Sequence, residues 1–187
     1  MSIFVLNKEN GSDNLSILIE KCKSSSMTVG KELRHAHYEL GRLISGEITK
    51  DAINNEFAIL VMMRAGLFYA NGIADQIEDL GYPTSLILLD DNKISDDDLA
   101  FIQGKEILIV DAVINTGRSI FKLMNQLSDN NSLKIATTVI QNNSLRLFEK
   151  TDLYTVRTSD NQYKGAKVKY VSNGKGPDTG DRLFNTM

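Results

Sequence analysis

The sequence of 187 residues contains one cysteine, two prolines and no tryptophan. A single cysteine, Cys22, cannot form a disulfide within the chain, and no cluster of cysteines and histidines with metal-ligand spacing accompanies it. The longest nearly continuous apolar run, residues 57–63, is far too short to cross a bilayer. The first residues lack the basic and then apolar pattern of a signal peptide, so we expect a cytoplasmic protein that does not bind membranes.

An excess of positive charge is also missing. The formal net charge is -3 and no long basic tract occurs, which argues against nucleic-acid binding. The two histidines, His35 and His37, stand two positions apart, so a helix directs them to different faces, and we interpret both as ordinary residues. The apolar content of 42% is ordinary for a globular protein, and a chain of this length suits one domain with its own core.

Apolar runs of strand length alternate with stretches that have helical periodicity. Continuous apolarity is typical of strands that are buried on both faces of a parallel sheet. The predicted strands are residues 57–63, 85–89, 106–110 and 134–140, and the predicted helices are 29–48, 67–80, 119–127 and 145–150, the last with Ser144 as N-cap. Gly41 weakens the first helix by about 1 kcal/mol relative to alanine. The alternation predicts an α/β fold with a mostly parallel central sheet flanked by helices.

Asp111 directly follows the third predicted strand, and residues 115–119 then lead into a helix. Ligands of open α/β sheets bind beyond the carboxyl ends of the strands, and a helix start offers free N–H groups to an anion. Gly117 allows close backbone approach, while Thr116 and Ser119 add hydroxyl donors. The pattern predicts a phosphate site in which Asp111 accepts hydrogen bonds from sugar hydroxyls. Alternatively, Thr116 or Ser119 only caps the helix and Asp111 is an exposed loop acid.

Three segments resemble motifs of one enzyme family. Residues 107–119 resemble the phosphoribosyl-diphosphate motif of type I phosphoribosyltransferases, in which an acid after an apolar strand precedes Thr-Gly-x-Ser/Thr. The single acid is similar to the uracil phosphoribosyltransferase branch. Residues 63–67, Met-Arg-Ala-Gly-Leu, resemble that branch's Leu-Arg-Ala-Gly-Leu loop, which contacts diphosphate, and residues 176–186 resemble its Gly/Asp-rich ending, which forms the uracil pocket. Taken singly, residues 63–67 also fit a loop with a surface arginine, and residues 176–186 also fit a polar C-terminal tail.

The resemblance implies one type I phosphoribosyltransferase-like domain over residues 1–187. Its parts are an N-terminal helical region at about 15–50, a core at about 55–160 and a small C-terminal base-binding segment at about 161–187. The implied activity is transfer of a phosphoribosyl group from phosphoribosyl diphosphate to uracil or a similar base, which yields UMP and diphosphate in pyrimidine salvage. Mg²⁺ is the implied cofactor. Because members of the family are usually dimers or larger, the resemblance also implies a homodimer or higher homo-oligomer.

The resemblance assigns roles to residues of all three segments. Those implied to bind diphosphate and the 5-phosphate are Arg64, Ala65, Gly66, Asn115, Thr116, Gly117, Arg118 and Ser119. Asp111 is implied to bind the ribose hydroxyls, Val171 and Gly176 to line the base, and Asp178 to lie near diphosphate and to bind the metal. The implied catalytic residues are Asp111, Arg64 and Asp178.

The sequence also departs from the family pattern. Ala112 replaces the usual proline, Asn173 stands where another proline is expected, and Pro177 looks inserted. The family's mobile loop with an arginine and a tyrosine corresponds to the acidic residues 90–98, which we interpret as a solvated surface loop with Lys93 as its one cation. These departures leave two alternatives open, a non-catalytic nucleotide sensor or regulator and an RNA-binding regulator, although the net charge of -3 argues against the latter.

Overall fold

The computed structural model describes residues 2–127, 132–160 and 178–186. The strands are β1 (Ile3–Val5), β2 (Phe57–Met62), β3 (Thr84–Leu89), β4 (Glu106–Ile114), β5 (Leu133–Gln141) and β6 (Asp152–Ser159). They form one sheet in the order β1-β6-β5-β4-β2-β3, and every neighbouring pair is parallel. The predicted α/β fold with a parallel central sheet is therefore confirmed.

Helices cover both faces of the sheet. They are α1 (Leu6–Glu9), α2 (Asp13–Cys22), α3 (Gly30–Thr49), α4 (Leu67–Asp79), α5 (Asp96–Phe101), α6 (Arg118–Met124), α7 (Thr179–Phe184) and a 3-10 helix (Asn142–Phe148). The α-helix predicted at 145–150 is wrong, because the 3-10 helix begins earlier and Gln141, not Ser144, is its N-cap residue. Within the described ranges, no helix combines the length and the apolar composition needed to span a membrane.

The side chains of β2 show why its sequence is continuously apolar. Ile59 and Val61 pack into a core with α2, α3 and α4, whereas Ala58 and Leu60 pack into a second core with α5, α6 and the 3-10 helix. Every residue of β2 is buried. Successive side chains of a strand point to opposite faces, so a strand covered on both faces has no polar alternation.

Two glycines let α3 and α4 approach closely. A Cβ atom at Gly41 would lie 2.3 Å from the carbonyl oxygen of Tyr69, and one at Gly72 would lie 1.9 Å from that of Tyr38. Both distances are shorter than any ordinary contact, so neither position accommodates a side chain in this packing. Gly41, which the sequence marks only as a weakness of the helix, is thus a contact point that places α4 on α3.

Strand β4 is longer than predicted and contains Asp111. Its pairing with β5 includes Asp111↔Thr137 and continues to Ile114↔Ile140 after an interruption at Ala112. At this interruption the Thr138 hydroxyl donates to the carbonyl oxygen of Ala112 at 2.5 Å. The prediction that Asp111 follows the strand is therefore wrong, because the hydrogen-bonded ladder continues after the apolar run has ended.

Candidate functional site

A cavity of about 230 Å³ lies toward the carboxyl ends of β4, β5 and β6. Asp111 of β4 and Asn115 just beyond it form one wall, and Ala65, from the loop after β2, lies beside them. Arg157 of β6 and Asp178, the residue before α7, also line it. The cavity therefore contains members of all three family-like segments, which are far apart in the sequence.

The Asp111 carboxyl is half-buried rather than exposed. Burial raises its pKa to about 7, two backbone N–H groups oppose that shift, and the negative charge of Asp178 adds to it. One of these N–H groups, that of Val113, donates to Oδ1 at 3.4 Å. Because Asp111 lies within β4 and is not exposed, the alternative of an exposed loop acid is wrong. The raised pKa means that Asp111 exchanges a proton near neutral pH.

Asp178 combines a structural position with one that suits ligand binding. It is the N-cap residue of α7, and its Oδ1 accepts from the backbone N–H of Asp181 at 3.2 Å. Among the residues that the structure describes, no group of three or more His, Cys, Asp or Glu side chains forms a metal site. Mg²⁺ commonly binds to one or two carboxylates and completes its coordination with substrate phosphates and water. Asp111 and Asp178, which line one cavity and lie close enough for the charge of Asp178 to raise the pKa of Asp111, fit that requirement.

The loop after β2 packs tightly on β4. A Cβ atom at Gly66 would lie 2.7 Å from the carbonyl oxygen of Val110, which immediately precedes Asp111. The Arg64 guanidinium lies next to this loop, where it donates to Asp181 at 2.7 Å and its Cζ lies 5.5 Å from the ring centre of Phe184. Arg64 therefore interacts with α7 and, unlike Ala65, is not part of the described cavity wall. The peptide bond before Arg64 is cis.

The turn into α6 leaves the hydroxyls of residues 116 and 119 available. The N-cap residue of α6 is Gly117, which has φ 73° and provides no side-chain cap, so the alternative that Thr116 or Ser119 caps this helix is wrong. Thr116, Arg118 and Ser119 are all exposed. Asn115, by contrast, lines the cavity, which brings the start of this turn to the ligand space.

The 3-10 helix packs against the turn that leads into α6. The Ser144 hydroxyl donates to the carbonyl oxygen of Asn115, and the ring of Phe148 stacks on that of Phe121 at 5.0 Å. A Cβ atom at Gly117 would lie 3.0 Å from the Phe148 ring, at a positive φ that side chains disfavour. Glycine is therefore required here by conformation and by space together.

The C-terminal segment is anchored by a buried arginine. Arg182 is 1% exposed, and its guanidinium donates to the carbonyl oxygens of Lys23 and Thr28, at 3.0 and 2.9 Å. It thus binds α7 to the chain that follows α2, a structural role that the sequence analysis did not predict. Val171 and Gly176, predicted to line the base, lie outside the described residues, as do Asn173 and Pro177.

The acidic residues 90–98 are mostly exposed, as predicted, but they are not all loop, because Asp96–Asp98 form the start of α5. Ser95 is the N-cap residue of α5, and its hydroxyl accepts from the backbone N–H of Asp98 at 3.1 Å. Ile94 is buried, and its N–H donates to the side-chain oxygen of Gln126 at 3.3 Å. The buried Ile94 and its hydrogen bond to Gln126 hold this segment against the chain that follows α6.

The β6 side of the site was not predicted from the sequence. Gln141 and Arg157 line the cavity, but β6 was not predicted because its apolar residues alternate irregularly with Thr155 and Arg157. The β-branched and aromatic residues Tyr154 to Val156 were the available signal for a strand. Cys22 also lines the cavity, and burial raises the pKa of its thiol to about 12, so the thiol stays protonated at neutral pH.

Comparisons with known proteins agree with this architecture. The AQ2163 protein of Aquifex aeolicus superposes with a TM-score of 0.71 at 17% identity and covers 98% of each chain. The HGPRT-ase of Leishmania tarentolae, solved with GMP, gives a TM-score of 0.51 at 14% identity over 71% of this chain and 80% of that one. A Xenopus laevis phosphoribosyltransferase domain-containing protein is 26% identical over 102 residues, which is 45% of this chain and 46% of that relative. The match thus spans about half the length of the curated relative. The sequence model for uracil phosphoribosyltransferase matches residues 31–186, and the chain belongs to this family.

Proposed function

We propose that the protein transfers a 5-phosphoribosyl group from phosphoribosyl diphosphate to a ring nitrogen of uracil or a similar base. The bond from the anomeric carbon to diphosphate breaks, the bond to the ring nitrogen forms, and the nitrogen loses its proton. The observation that carries this proposal is that one cavity is lined by Ala65, Asp111, Asn115 and Asp178, which come from the three family-like segments. Family membership supports phosphoribosyl transfer in general.

The 5-phosphate is proposed to bind at residues 115–119. The hydroxyls of Thr116 and Ser119 have no capping role, and Arg118 is exposed without an ion pair to any described residue. Gly117 orients the backbone with φ 73°, and a Cβ atom there would lie 3.0 Å from the Phe148 ring. Backbone N–H groups, two hydroxyls and one guanidinium suit a phosphate dianion.

Diphosphate is proposed to bind between Arg64 and the Ala65–Gly66 backbone. Arg64 is paired with Asp181 on α7, and its side chain is 48% exposed. An exposed ion pair contributes little to stability, so a doubly charged ligand can replace Asp181 as the partner of Arg64 at low cost. In this arrangement the guanidinium stabilises the negative charge that develops on the leaving group.

Asp111 is proposed to bind the ribose hydroxyls. Positive charge develops on the ribose as diphosphate leaves, and a nearby carboxylate stabilises it only when ionised. Because burial holds the pKa of Asp111 at about 7, hydroxyl donors or a cation at this site would favour the ionised form. Asp178 and Asp111 would hold Mg²⁺, which when bound neutralises charge on diphosphate.

The test is diphosphate release from phosphoribosyl diphosphate with Mg²⁺ and a panel of bases. Ser119→Ala should raise KM for phosphoribosyl diphosphate about 10-fold, the effect of losing one hydrogen bond to a charged group. Asp111→Asn should lower kcat by about 100-fold or more, as expected for loss of charge stabilisation in the transition state. Ser16→Ala and Asp13→Asn change exposed residues that are not among those lining the cavity and should leave both constants unchanged. Full activity of Asp111→Asn and Ser119→Ala would refute these assignments.

A non-catalytic nucleotide sensor is the second candidate. The observation that favours it is the pairing of Arg64 with Asp181, which occupies the side chain proposed to bind diphosphate. Binding of UMP without turnover of any base would support this candidate. Turnover that increases in Asp181→Asn, which frees Arg64, would instead support the enzyme.

A further inference from the structure

Arg157 carries a positive charge on the far side of the cavity from the phosphate-binding loops. In the register of the sheet it pairs with Val139 of β5, which in turn pairs with Val113 of β4. All three residues line the cavity. Two strand spacings separate Arg157 from β4, which corresponds to about 10 Å across the sheet. Arg157 is thus displaced sideways from the loops proposed to hold the two phosphate groups.

The guanidinium of Arg157 lacks a close counter-charge. It is half-buried, and among the described residues no carboxylate lies within 4.0 Å of it and no acceptor takes a hydrogen bond from its side chain. Glu20 acts on it only from beyond ion-pair distance, and the nearby Cys22 thiol is protonated. Residues 161–177 include four lysines but neither aspartate nor glutamate, so they supply no acid either.

A partly buried guanidinium with no close counter-charge among the described residues favours a ligand that supplies one. Arginine stays protonated at neutral pH, so it cannot escape the cost of burial by losing its proton. Its planar donors match a carboxylate in a bidentate pair. The cavity is therefore polarised, with the Asp111 and Asp178 carboxylates on one side and a cation on the other, beside the Gln141 amide.

We propose that Arg157 binds a carboxylate on the acceptor base, so that the preferred acceptor is a carboxylated nitrogen heterocycle rather than a neutral base. This inference rests on the proposed transfer reaction and narrows its acceptor. The phosphates of the donor are the other possible source of negative charge. They are less suited, because residues 64–66 and 115–119 lie after β2 and β4, whereas Arg157 lies beyond β5.

The experiment compares matched acceptors that differ by one carboxylate, uracil against uracil-6-carboxylate and nicotinamide against nicotinate. In the wild-type protein with phosphoribosyl diphosphate and Mg²⁺, kcat/KM should favour the carboxylate member of at least one pair by about 10- to 100-fold. Arg157→Gln should remove that preference, and Arg157→Lys should retain part of it. Arg146→Gln makes the same chemical change at an exposed residue of the 3-10 helix and should leave the preference unchanged.

The outcomes separate this inference from the proposed function. Equal or greater activity with the neutral base in both pairs overturns the carboxylate preference and leaves phosphoribosyl transfer standing. Arg157→Gln could instead increase KM for phosphoribosyl diphosphate and leave the acceptor preference unchanged. That result assigns the guanidinium to the donor and also overturns the proposal that it binds the acceptor. If Arg157→Gln does not fold, the wild-type ratio of kcat/KM between the carboxylated and the neutral acceptor decides whether the carboxylate preference exists. If no base is turned over, calorimetry compares UMP with its 6-carboxylate, and failure to bind both nucleotides and phosphoribosyl diphosphate refutes the function itself.

Discussion

At the scale of single residues, the site contains two carboxylates that lie in the same cavity but in different surroundings. Asp111 is half-buried within a strand, and the pKa of its carboxyl rises to about 7. Asp178 is the N-cap residue of α7, where its Oδ1 accepts from the backbone N–H of Asp181. The negative charge of Asp178 contributes to the raised pKa of Asp111, because it disfavours a second ionised carboxyl nearby.

The raised pKa of Asp111 predicts a pH-dependent stability. The folded chain keeps a proton up to about pH 7, whereas the unfolded carboxyl, with a pKa of 3.8, loses it earlier. The free energy of unfolding therefore decreases as pH rises between these values. Asp111→Asn removes this effect, so its stability relative to wild type should increase by about 2–3 kcal/mol from pH 5 to pH 8. Urea unfolding without Mg²⁺ measures the difference, and Asp97→Asn, which changes an exposed acid, should show none.

The sequence indicates some residues of the cavity and not others, for a physical reason. Asp111, Asn115 and Ala65 belong to contiguous segments whose residue types suit anions, so a local pattern is enough to select them. Arg157 lies in no such segment. It enters the cavity only because β6 pairs with β5, and this order depends on packing of the whole sheet.

At the scale of elements, prediction succeeded where a strand is buried on both faces, as in β2 and β5. It stopped β4 too early because Asp111 ends the apolar run, although backbone pairing continues regardless of side-chain polarity. It missed β1, whose three residues are too few for a recognisable period. Backbone pairing, rather than apolarity, sets the ends of these strands.

The contact between α3 and α4 predicts opposite effects for two glycines of one helix. Gly41→Ala brings Cβ to 2.3 Å from the carbonyl oxygen of Tyr69, a backbone atom that cannot rotate away, and should lower the free energy of unfolding by about 3 kcal/mol or more. Gly46 is exposed, and a Cβ atom added there would have no neighbour within 4 Å, so Gly46→Ala should raise it by about 0.5–1 kcal/mol. Urea unfolding of both variants is the measurement, and equal effects would contradict this packing.

At the scale of the whole molecule, α7 near the C-terminus packs against the N-terminal helical region beside the site. Arg182 of α7 binds carbonyl groups of the chain between α2 and α3, and Arg34 of α3 donates to the carbonyl oxygen of Leu183 at 2.8 Å. Together with the ion pair between Arg64 and Asp181, these contacts hold α7, and with it Asp178, against the loop after β2. The cavity is therefore assembled by long-range contacts, and a short sequence motif alone cannot describe it.

This assembly predicts that donor binding stabilises the fold in a Mg²⁺-dependent way. A ligand at 100 times its Kd raises the free energy of unfolding by about 2.7 kcal/mol, which for a chain of this size corresponds to a Tm increase of about 5–10 °C. Phosphoribosyl diphosphate should give this shift with Mg²⁺ and a smaller one without it, because diphosphate and Asp178 repel each other unless a cation lies between them. Thermal unfolding at matched ionic strength measures both shifts.

Asp178→Asn separates the metal from the helix cap in the same experiment. Asparagine also caps helices well, so the Tm without ligand should change little, while the Mg²⁺-dependent part of the shift should be lost. Asp97→Asn removes an equal charge from the exposed start of α5 and should keep the full shift. If Asp178→Asn keeps it too, Asp178 does not bind the cation. Asp111, whose carboxyl ionises more readily beside a cation, then becomes the ligand to test by its own pH-dependent stability with and without Mg²⁺.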